Sequence, residues 1–442
     1  MDTFLPLYGQ KAIEILEKAG FEAYAVGGCV RDFLLGKIPL DIDITTSALP
    51  NDIINVFSDF KVIKTGLKHG TITVIIDSNP IEITTFRIDG KYNDLRHPEN
   101  ISFTKDIFED LKRRDFTINA IAYNPKSGFK DPFGGKSDIK NKIIKAVGDA
   151  ESRFSEDALR ILRALRFSSD LGFSIEKKTS ESIHKCKNLL KNISFERINK
   201  EFNGIICGKN AEKVLFDFKD TIGVFIPEIK PMIGFDQQNP HHIYDVYVHT
   251  LKVTANVPQE KIIRLCAFFH DIGKPFVFTK DQKGIGHFYS HQKKSVEIAL
   301  NVLNRLRYDK KTIHDVTEII KYHDIPLKTE KEVKKWLGYY GDENFIRLLS
   351  IKKGDILAQS PKYLDNLEKL QKIYNIYNEI KTKNDCIKIS DLKINGTDLI
   401  ALGFKEGKKI GETLNLILEQ IIDGNLKNEK KDILDFLNQK GK

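Results

Sequence analysis

Two aspartates in the segment LDIDI have the first spacing that suggests chemistry. Successive side chains of a strand point to opposite faces, so Asp41 and Asp43 share one face while Ile42 and Ile44 share the other. Neighbouring carboxylates repel each other, and burial raises that cost unless a divalent cation lies between them. Glu82, in the alternating segment NPIEITTFR, adds a third carboxylate if its strand is adjacent. The pattern predicts a Mg²⁺ site that activates a hydroxyl for phosphoryl transfer.

A glycine pair just upstream suggests a place for phosphate groups. Gly27 and Gly28 lie between a predicted strand and a short predicted helix that ends at Gly36. A backbone without Cβ lets a phosphate approach exposed N–H groups, and Arg31, one turn into the helix, can reach the same anion. The alternative is a tight structural turn with a surface arginine. The conjunction with the paired acids favours the phosphate site.

A charged cluster in EDLKRRDFTINAIAYN is a second candidate for nucleotide contact. Arg113, Arg114 and Asp115 precede a predicted apolar helix, and Asn119 follows one turn later. Such a cluster at the start of a helix can bind a triphosphate or a ribose. The alternative is a capping aspartate with flanking surface arginines.

The elements that must position these side chains are of two kinds. In the first 148 residues, strands predicted at 23–26, 40–45, 71–76 and 81–87 have helices between them. From about residue 149 the apolar periodicity becomes that of amphipathic helices, as in LDNLEKLQKIYNIYNEI. Breaks are expected near Gly148, within 225–240 and within 381–385. We therefore predict an N-terminal α/β domain followed by a mostly α-helical remainder.

Composition limits the class of protein. The chain of 442 residues is too long for one ordinary core, and its length favours about three domains. The net charge of +9 is compatible with an anionic partner, although lysine-rich composition gives the same balance without function. Five scattered cysteines without a CxxC pair indicate reduced thiols and a cytoplasmic protein. The N-terminus does not match a secretory signal, and no run reaches the roughly 18 apolar residues of a membrane span.

The motifs GGCVRD, LDID and RRDFTINAIAYN, in this order, resemble those of the class II nucleotidyltransferases. This family comprises the tRNA CCA-adding enzymes and the bacterial poly(A) polymerases of the polymerase β-like superfamily. The similarity continues in EDALRILRALRF, more loosely in ERINKEF, and in the C-terminal DLKINGTDLIALGFKEGKKIGETLNL. It implies a polymerase β-like catalytic head at 1–148, a helical neck at 149–225, a helical body at 226–380 and a helical tRNA-binding tail at 381–442.

The segment RFSEDALRILRALRF suggests how a base is chosen. Helical spacing places Asp157, Arg160, Arg163 and Arg166 opposite an apolar arc, with Glu156 and Asp157 expected in the first turn. Cytosine and adenine both present an amino donor beside an unprotonated ring nitrogen, so a carboxylate next to an arginine satisfies both. Uracil and guanine would leave buried groups mispaired. The alternative is a solvated polar face.

The resemblance agrees with this interpretation and extends it. In the family, the EDxxR motif selects CTP and ATP, which assigns that role to Glu156, Asp157 and Arg160 and places Arg163 and Arg166 near the nucleotide. The stretch TFRIDGKYNDLRHPENISF, with Asp94 and Arg96, resembles the family's full-length flexible loop and favours complete CCA addition. Because A-adding relatives can retain this loop, an A-adding enzyme or a poly(A) polymerase stays open. The resemblance implies tRNA, CTP and ATP as partners and Mg²⁺ as cofactor.

The helical half contains a second predicted metal site. Imidazole and carboxylate groups on several helices are the ligands of mono- or dinuclear sites. A single histidine on an apolar helix is more often a satisfied core residue. Yet FFHDIGKP and the order H…HD…H…H…D resemble the HD metal-dependent phosphohydrolases, whose domains occur in the bodies of some CCA-adding enzymes. The resemblance implies a second divalent metal (Mn, Ni, Fe or Mg) and, as an alternative main activity, hydrolysis of phosphate esters such as 2′,3′-cyclic ends. The candidate ligands are His249, His270, Asp271, His291, His323 and Asp355.

Overall fold

The computed structural model describes residues 5–39, 41–90 and 101–440. The chain divides into two compact units, Met1–Pro227 and Glu228–Lys442. The first unit contains an α/β region followed by helices, and the second is mostly helical. The predicted α/β N-terminal part and helical remainder are confirmed.

A mixed sheet forms the centre of the first unit. The strands in the described part of the first unit are β1 (Ala23–Val26), β2 (Asp43–Thr46), β3 (Lys61–Ile63), β4 (Thr71–Ile76), β5 (Asn79–Thr85), β6 (Arg87–Asp89), β7 (Ile101–Phe103), β8 (Ala122–Asn124), β9 (Gly128–Lys130), β10 (Ile143–Ile144) and β11 (Ser174–Ile175). Seven of them pair in the order β3-β4-β5-β2-β1-β8-β9. The pair of β2 and β5 is parallel, and the other neighbours are antiparallel. This parallel pair aligns the two acidic segments.

Two of the four predicted strands, 23–26 and 71–76, have the predicted bounds. In β4, buried residues alternate with partly exposed ones, as a half-buried strand requires. The other two are displaced by one to three residues, because β2 begins at Asp43 and β5 spans Asn79–Thr85. Asp41 therefore precedes the first paired residue, although Ile42 and Ile44 are both buried as the alternation predicts.

Short helices cover this sheet and continue into the rest of the first unit. They are α1 (Leu7–Lys18), α2 (Gly28–Leu34), α3 (Pro50–Val56), α4 (Ile107–Lys112), α5 (Gly135–Asn141), α6 (Ala150–Glu156), α7 (Leu159–Leu171), α8 (Lys177–Cys186), α9 (Phe195–Cys207), α10 (Ala211–Asp217) and α11 (Lys219–Phe225). The end of α2 near Gly36, which has a φ of +73°, is as predicted. The apolar helix predicted after Asp115 is wrong. That segment makes one 3-10 turn, Thr117–Asn119, and then enters β8, because pairing with β1 overrides the local pattern.

The expectation that Glu156 and Asp157 lie in the first turn of one helix is also wrong. Helix α6 ends at Glu156 and α7 begins at Leu159, while Asp157 between them is extended, with φ −137° and ψ 103°. Its Oδ1 accepts the N–H of Leu159 at 3.0 Å, so the aspartate caps the start of α7 instead of lying inside a helix. Glu156 and Asp157 are therefore not in a shared first turn.

The second unit is built from longer helices. They are α12 (Val246–Asn256), α13 (Lys261–Phe269), α14 (His291–Arg305), α15 (Lys310–Tyr322), α16 (Glu330–Ala358), α17 (Asn366–Lys383), α18 (Gly396–Ala401), α19 (Lys408–Ile422) and α20 (Lys430–Lys440), with a small hairpin of β12 (Thr279–Lys280) and β13 (Gly286–His287). Helix α16 breaks at Gly341, whose φ is +71°. One apolar core lies mainly between α16 and α17, and a separate one unites α18, α19 and α20. In the described ranges no helix combines the length and apolar character needed to cross a membrane.

Candidate active site and metal centre

The central sheet brings two of the three predicted acidic ligands side by side. In the parallel pair of β2 and β5, Asp43 lies opposite Glu82, and Asp41 precedes β2 by two residues. Partial desolvation raises the pKa of Asp43, and the charges of Glu82 and Asp41 raise it further against the opposing effect of Arg114. Mutually repelling carboxylates on neighbouring strands are oxygen ligands that a divalent cation would neutralise. The residues present therefore fit a hard cation.

The glycine turn lies directly against this acidic group. Gly27 has a φ of +76°, which glycine adopts readily, and it immediately precedes α2. A Cβ atom at Gly27 would lie 3.3 Å from Nη1 of Arg114 and 3.9 Å from Oδ2 of Asp43. At Gly28, a Cβ atom would lie 3.7 Å from Nη2 of Arg31. The open side of the turn is thus bounded by two cations and a carboxylate.

Hydrogen bonds join the predicted nucleotide contacts across three elements. Nη1 of Arg31 donates to Oδ1 of Asn119 at 2.9 Å, and Nδ2 of Asn119 donates to Oδ1 of Asp115 at 3.1 Å. The other carboxylate oxygen of Asp115 accepts from Arg163 on α7 at 2.7 Å. Burial opposes ionisation of Asp115, but Arg163 and Asn119 outweigh it and lower its pKa to about 2. In this state the charge of Asp115 holds Arg163 and Asn119 in place.

The predicted base-reading residues lie one turn apart but have separate side-chain partners. The N–H of Arg160 donates to the carbonyl of Asp157 at 3.0 Å. Nη1 of Arg160 donates to Glu156 at 2.6 Å and to the carbonyl of Arg153 at 3.1 Å. The carboxylate of Asp157 pairs with Arg197 instead. The side chains diverge because Asp157 belongs to the junction and Arg160 to α7.

Helix α9 contributes two residues that were not predicted from the sequence. Nη2 of Arg197 reaches both carboxylate oxygens of Asp157, at 3.2 and 3.0 Å, and Glu201 accepts from Nε of Arg166 at 2.6 Å. Both residues lie in ERINKEF at a spacing of four, so they share one face of α9. The spacing of four was visible in the sequence and places both side chains on one face of α9. Only the packing of α9 on α7 shows which residues that face contacts.

In the second unit, all six predicted metal ligands come together. They are carried by α12, α14 and α16 and by the C-terminal ends of α13 and α15. Their candidate ligand atoms form two groups, each within 4.8 Å of one another. The first group is His249, His270 and Asp355, and the second is Asp271, His291 and His323. Five of the six are buried, and Asp355 is partly so.

Asp271 links the two groups. Its carboxylate oxygens lie 3.4 Å from Nε2 of His249, 3.1 Å from Nε2 of His270 and 3.3 Å from Nε2 of His291. Nε2 of His323 lies 3.3 Å from Nε2 of His291. It also lies 4.0 Å from Asp271, so the Nε2 atoms of four histidines face one buried carboxylate.

The opposite nitrogen of each histidine ring faces a backbone carbonyl. Nδ1 of His270, His291 and His323 lies 2.7, 2.9 and 2.7 Å from the carbonyl three residues earlier, and Nδ1 of His249 lies 3.4 Å from that of Ala358. A proton on Nδ1 leaves an Nε2 lone pair for a metal. Burial lowers the pKa of His323 to about 4, so this imidazole is neutral at physiological pH. Within the described ranges, the buried Nε2 atoms of His249 and His270 lie 2.9–3.4 Å from carboxylate oxygens of Asp271 and Asp355 but form no hydrogen bond of good geometry. The site therefore fits a metal ion.

Two further charged residues flank this cluster. Nζ of Lys274 lies 2.7 Å from Asp271, and Asp324 lies 3.3 Å from both His291 and His323. Neither was predicted from the sequence, although HDIGK and YHDIP place them beside predicted ligands. A cavity of about 340 Å³ opens on the cluster, and a second of about 630 Å³ shares His323, Asp324 and Asp355 with it.

Comparisons with known proteins agree over nearly the whole chain. The family model for the Poly A polymerase head domain matches residues 23–145, that for a probable RNA and SrmB-binding site of polymerase A matches 172–231, and that for a second domain of tRNA nucleotidyltransferases matches 277–437. A CCA-adding enzyme of Lactobacillus delbrueckii subsp. bulgaricus is 35% identical over 435 residues, covering 96% of each chain. The chain belongs to the CCA-adding enzymes. Another relative with this name, from Streptococcus thermophilus, is 33% identical and covers 98% of each chain.

Solved structures of CCA-adding enzymes share the fold. The Bacillus stearothermophilus enzyme in complex with CTP has a TM-score of 0.72 and 28% identity, with coverage of 98% of this chain and 96% of its own. The Thermotoga maritima enzyme complexed with tRNA has a TM-score of 0.64 at 23% identity, with coverage of 98% and 95%, and this likeness concerns the fold alone. As a CCA-adding enzyme, this protein is a nucleotidyltransferase, and the chemistry of that class depends on a divalent metal.

Proposed function

We propose that this CCA-adding enzyme completes the 3′ end of tRNA with C, C and A, taking the nucleotides from CTP and ATP without a nucleic-acid template. The observation that carries the proposal is the position of Asp43 and Glu82 beside the Gly27 turn and Arg114. Carboxylates for a cation thus adjoin a space for phosphates. The CTP complex of the Bacillus stearothermophilus relative supports the choice of nucleotide.

The acidic residues and the arginines have separate tasks in nucleotidyl transfer. Asp41, Asp43 and Glu82 would hold Mg²⁺, which when bound favours deprotonation of the tRNA 3′-hydroxyl and neutralises charge on the departing pyrophosphate. The backbone of the glycine turn, with Arg31 and Arg114, holds the triphosphate. This orientation presents the α-phosphorus to the 3′-hydroxyl, whose oxygen forms the new ester bond as the bond to pyrophosphate breaks.

Base selection belongs to the junction between α6 and α7. The carboxylate of Asp157 accepts from the exocyclic amino group that cytosine and adenine share. Arg160 donates to the unprotonated ring nitrogen through a guanidinium N–H other than those bound by Glu156 and by the carbonyl of Arg153. Because a carboxylate offers about four lone-pair sites, Asp157 can accept from a base while Arg197 holds it. Asp94 and Arg96, in the loop that favours complete addition, lie outside the described residues.

The metal-binding role is tested by replacing Asp41 and Asp43 together with alanine. Incorporation of labelled CTP and ATP into tRNA should be abolished, while circular dichroism shows the wild-type helical content. Asp59→Ala, which removes an exposed acid from the same unit, should incorporate at the wild-type rate. Incorporation that survives the double substitution would place the metal site elsewhere.

We further propose that the cluster in the second unit binds a divalent metal and supports hydrolysis of phosphate esters. The supporting observation is the shared arrangement of four histidines, each with Nδ1 near a carbonyl and Nε2 near Asp271 or Asp355. The four histidines and these two carboxylates would hold Mn, Ni, Fe or Mg, which when bound would activate water. The donor set is rich in imidazole, which suits a transition metal.

Elemental analysis of the purified protein tests this second site. Wild-type protein should retain metal after dialysis, and His270→Ala should lose it, whereas both should incorporate CTP equally. His241→Ala, at a histidine that stacks on Tyr363, is the matched control and should retain the metal. Metal-free wild-type protein that takes up no added Mn, Ni, Fe or Mg would contradict the proposal.

We also propose the four-part organisation of head (1–148), neck (149–225), body (226–380) and tail (381–442). The separate apolar core of α18, α19 and α20 supports an independent tail, and the break between compact units after Pro227 lies close to the junction of neck and body. The five free cysteines support a cytoplasmic location.

A further inference from the structure

Phe167 on α7 is surrounded by three arginines of the proposed nucleotide site. Its ring is buried, with 4% of the residue exposed. Cζ of Arg166 lies 4.3 Å from the ring centroid, Cζ of Arg31 lies 5.1 Å away and Cζ of Arg163 lies 5.3 Å away. All three distances fall within the range of cation–π attraction. One aromatic ring is therefore the common contact of arginines from α2 and α7.

Bringing three guanidinium groups together costs electrostatic free energy unless something offsets the repulsion. Each arginine has its own acid. Asp32 lies 2.8 Å from Arg31, Asp115 lies 2.7 Å from Arg163 and Glu201 lies 2.6 Å from Arg166. These acids come from different elements, so they anchor the arginines but do not draw them toward one point. The negative face of the Phe167 ring is the feature that the three cations share.

The ring itself is held in a defined orientation. Phe116 packs against it nearly edge-on, with centroids 5.8 Å apart and an interplanar angle of 83°. Phe116 is fully buried and directly follows Asp115, which anchors Arg163. The aromatic pair therefore connects the head side of the site to α7.

We propose that Phe167 is a positioning residue for the phosphate chain of the incoming nucleotide. It gathers Arg31, Arg163 and Arg166 into one cationic group that receives the triphosphate, and it touches no reacting atom itself. This inference rests on the nucleotide site proposed above. Because CTP and ATP have the same triphosphate, Phe167 acts equally on both, in contrast to Asp157, which distinguishes bases.

The variants Phe167→Leu and Phe167→Tyr distinguish a role of the aromatic face from a role in filling the apolar core. Leucine keeps an apolar side chain but removes the π face, so KM for both CTP and ATP should rise roughly tenfold with kcat nearly unchanged. Tyrosine keeps the π face and should restore KM to near the wild-type value. Phe57→Leu makes the same truncation at a fully buried site on the sheet side of the unit and should lose stability without a change in KM.

Binding of inorganic triphosphate, measured by calorimetry, separates this inference from the proposed activity. Its Kd should rise by the same factor as KM in Phe167→Leu and stay near wild type in Phe167→Tyr and Phe57→Leu. A Kd for Phe167→Leu equal to that of Phe57→Leu, or a change in KM for one nucleotide only, would overturn the positioning role. Wild-type protein that binds triphosphate as expected but incorporates no nucleotide would instead refute the proposed function.

Discussion

The carboxylate of Asp157 makes two contacts that position it for base recognition. Its carboxylate caps α7 through Leu159 and is bound by Arg197, so it is held in one orientation near the proposed base position. An ionised carboxylate accepts hydrogen bonds only, which suits the amino groups of cytosine and adenine and excludes the carbonyl groups of uracil and guanine. The selectivity of the enzyme should therefore depend strongly on the carboxylate of Asp157, alongside Arg160.

Asp157→Ala should reduce discrimination between CTP and UTP. Loss of one hydrogen bond to a charged group costs about 1.5–3 kcal/mol, so the ratio of kcat/KM for CTP to that for UTP should fall at least tenfold. Asp170→Ala, at an exposed acid near the C-terminal end of α7, is the control. An unchanged ratio in Asp157→Ala would place base selection at other residues.

The low pKa of Asp115 predicts that the stability of the protein depends on pH. Its folded-state pKa of about 2 is below its ordinary value of 3.8, so its contribution is complete above about pH 4 and is lost as pH falls through 2. The stability advantage of wild type over Asp115→Asn should shrink by roughly 1 kcal/mol between pH 6 and pH 3. Urea unfolding of both proteins at pH 6 and pH 3 measures this difference in stability. A difference that is the same at both pH values would show that Arg163 does not stabilise the charge of Asp115.

At the scale of elements, the glycine turn between β1 and α2 constrains both the backbone and the site. Gly27 requires a positive φ and also lies close to Arg114 and Asp43, so an added methyl group would disturb both conformation and site. Gly20 has a positive φ of +88° as well, but a Cβ atom there would meet nothing within 4 Å. Substitutions at these two glycines therefore distinguish the effect of backbone strain from the effect of crowding in the site.

Gly27→Ala and Gly20→Ala should have similar stabilities and different activities. Each substitution forces a side chain into a positive-φ conformation at a cost of about 1–2 kcal/mol. Only Gly27→Ala displaces Arg114, so only this variant should raise KM for CTP and ATP. Steady-state kinetics and melting temperatures of both variants test this prediction. Equal KM values in the two variants would show that the turn does not contact the phosphates.

The elements that were predictable from sequence are those with a strong local period. Strands at 23–26 and 71–76 have the predicted bounds because their apolar periodicity ends at turn residues. The break between α6 and α7 was missed because helical spacing looks continuous across it, and only the cap on Leu159 reveals it. The helix predicted after Asp115 failed because pairing of β8 with β1 is a tertiary effect.

The same distinction applies to the site residues. The alternating Asp41 and Asp43 could be recognised locally, but the alignment of Asp43 with Glu82 depends on strand pairing that no short segment encodes. Arg197 could not be assigned a role until α9 was seen to pack on α7, because its partner lies 40 residues away. Long-range partners are thus the part of the site that sequence patterns leave undetermined.

At the scale of the whole molecule, each compact unit has its own candidate site. The carboxylates and arginines around Asp43 lie in the first unit, and the histidine cluster around Asp271 lies in the second. The net charge of +9 adds an electrostatic attraction for a polyanion such as tRNA. In the proposed function, the first site adds three nucleotides of defined sequence and then stops.

Incorporation into a tRNA transcript that lacks all three terminal nucleotides tests this claim directly. With CTP alone, sequencing of the product 3′ end should show two added C residues, and with CTP and ATP together it should show CCA and nothing beyond. UTP and GTP should give no product. Addition of A without prior C, or an A tail that grows past one nucleotide, would contradict the account and identify an A-adding enzyme or a poly(A) polymerase.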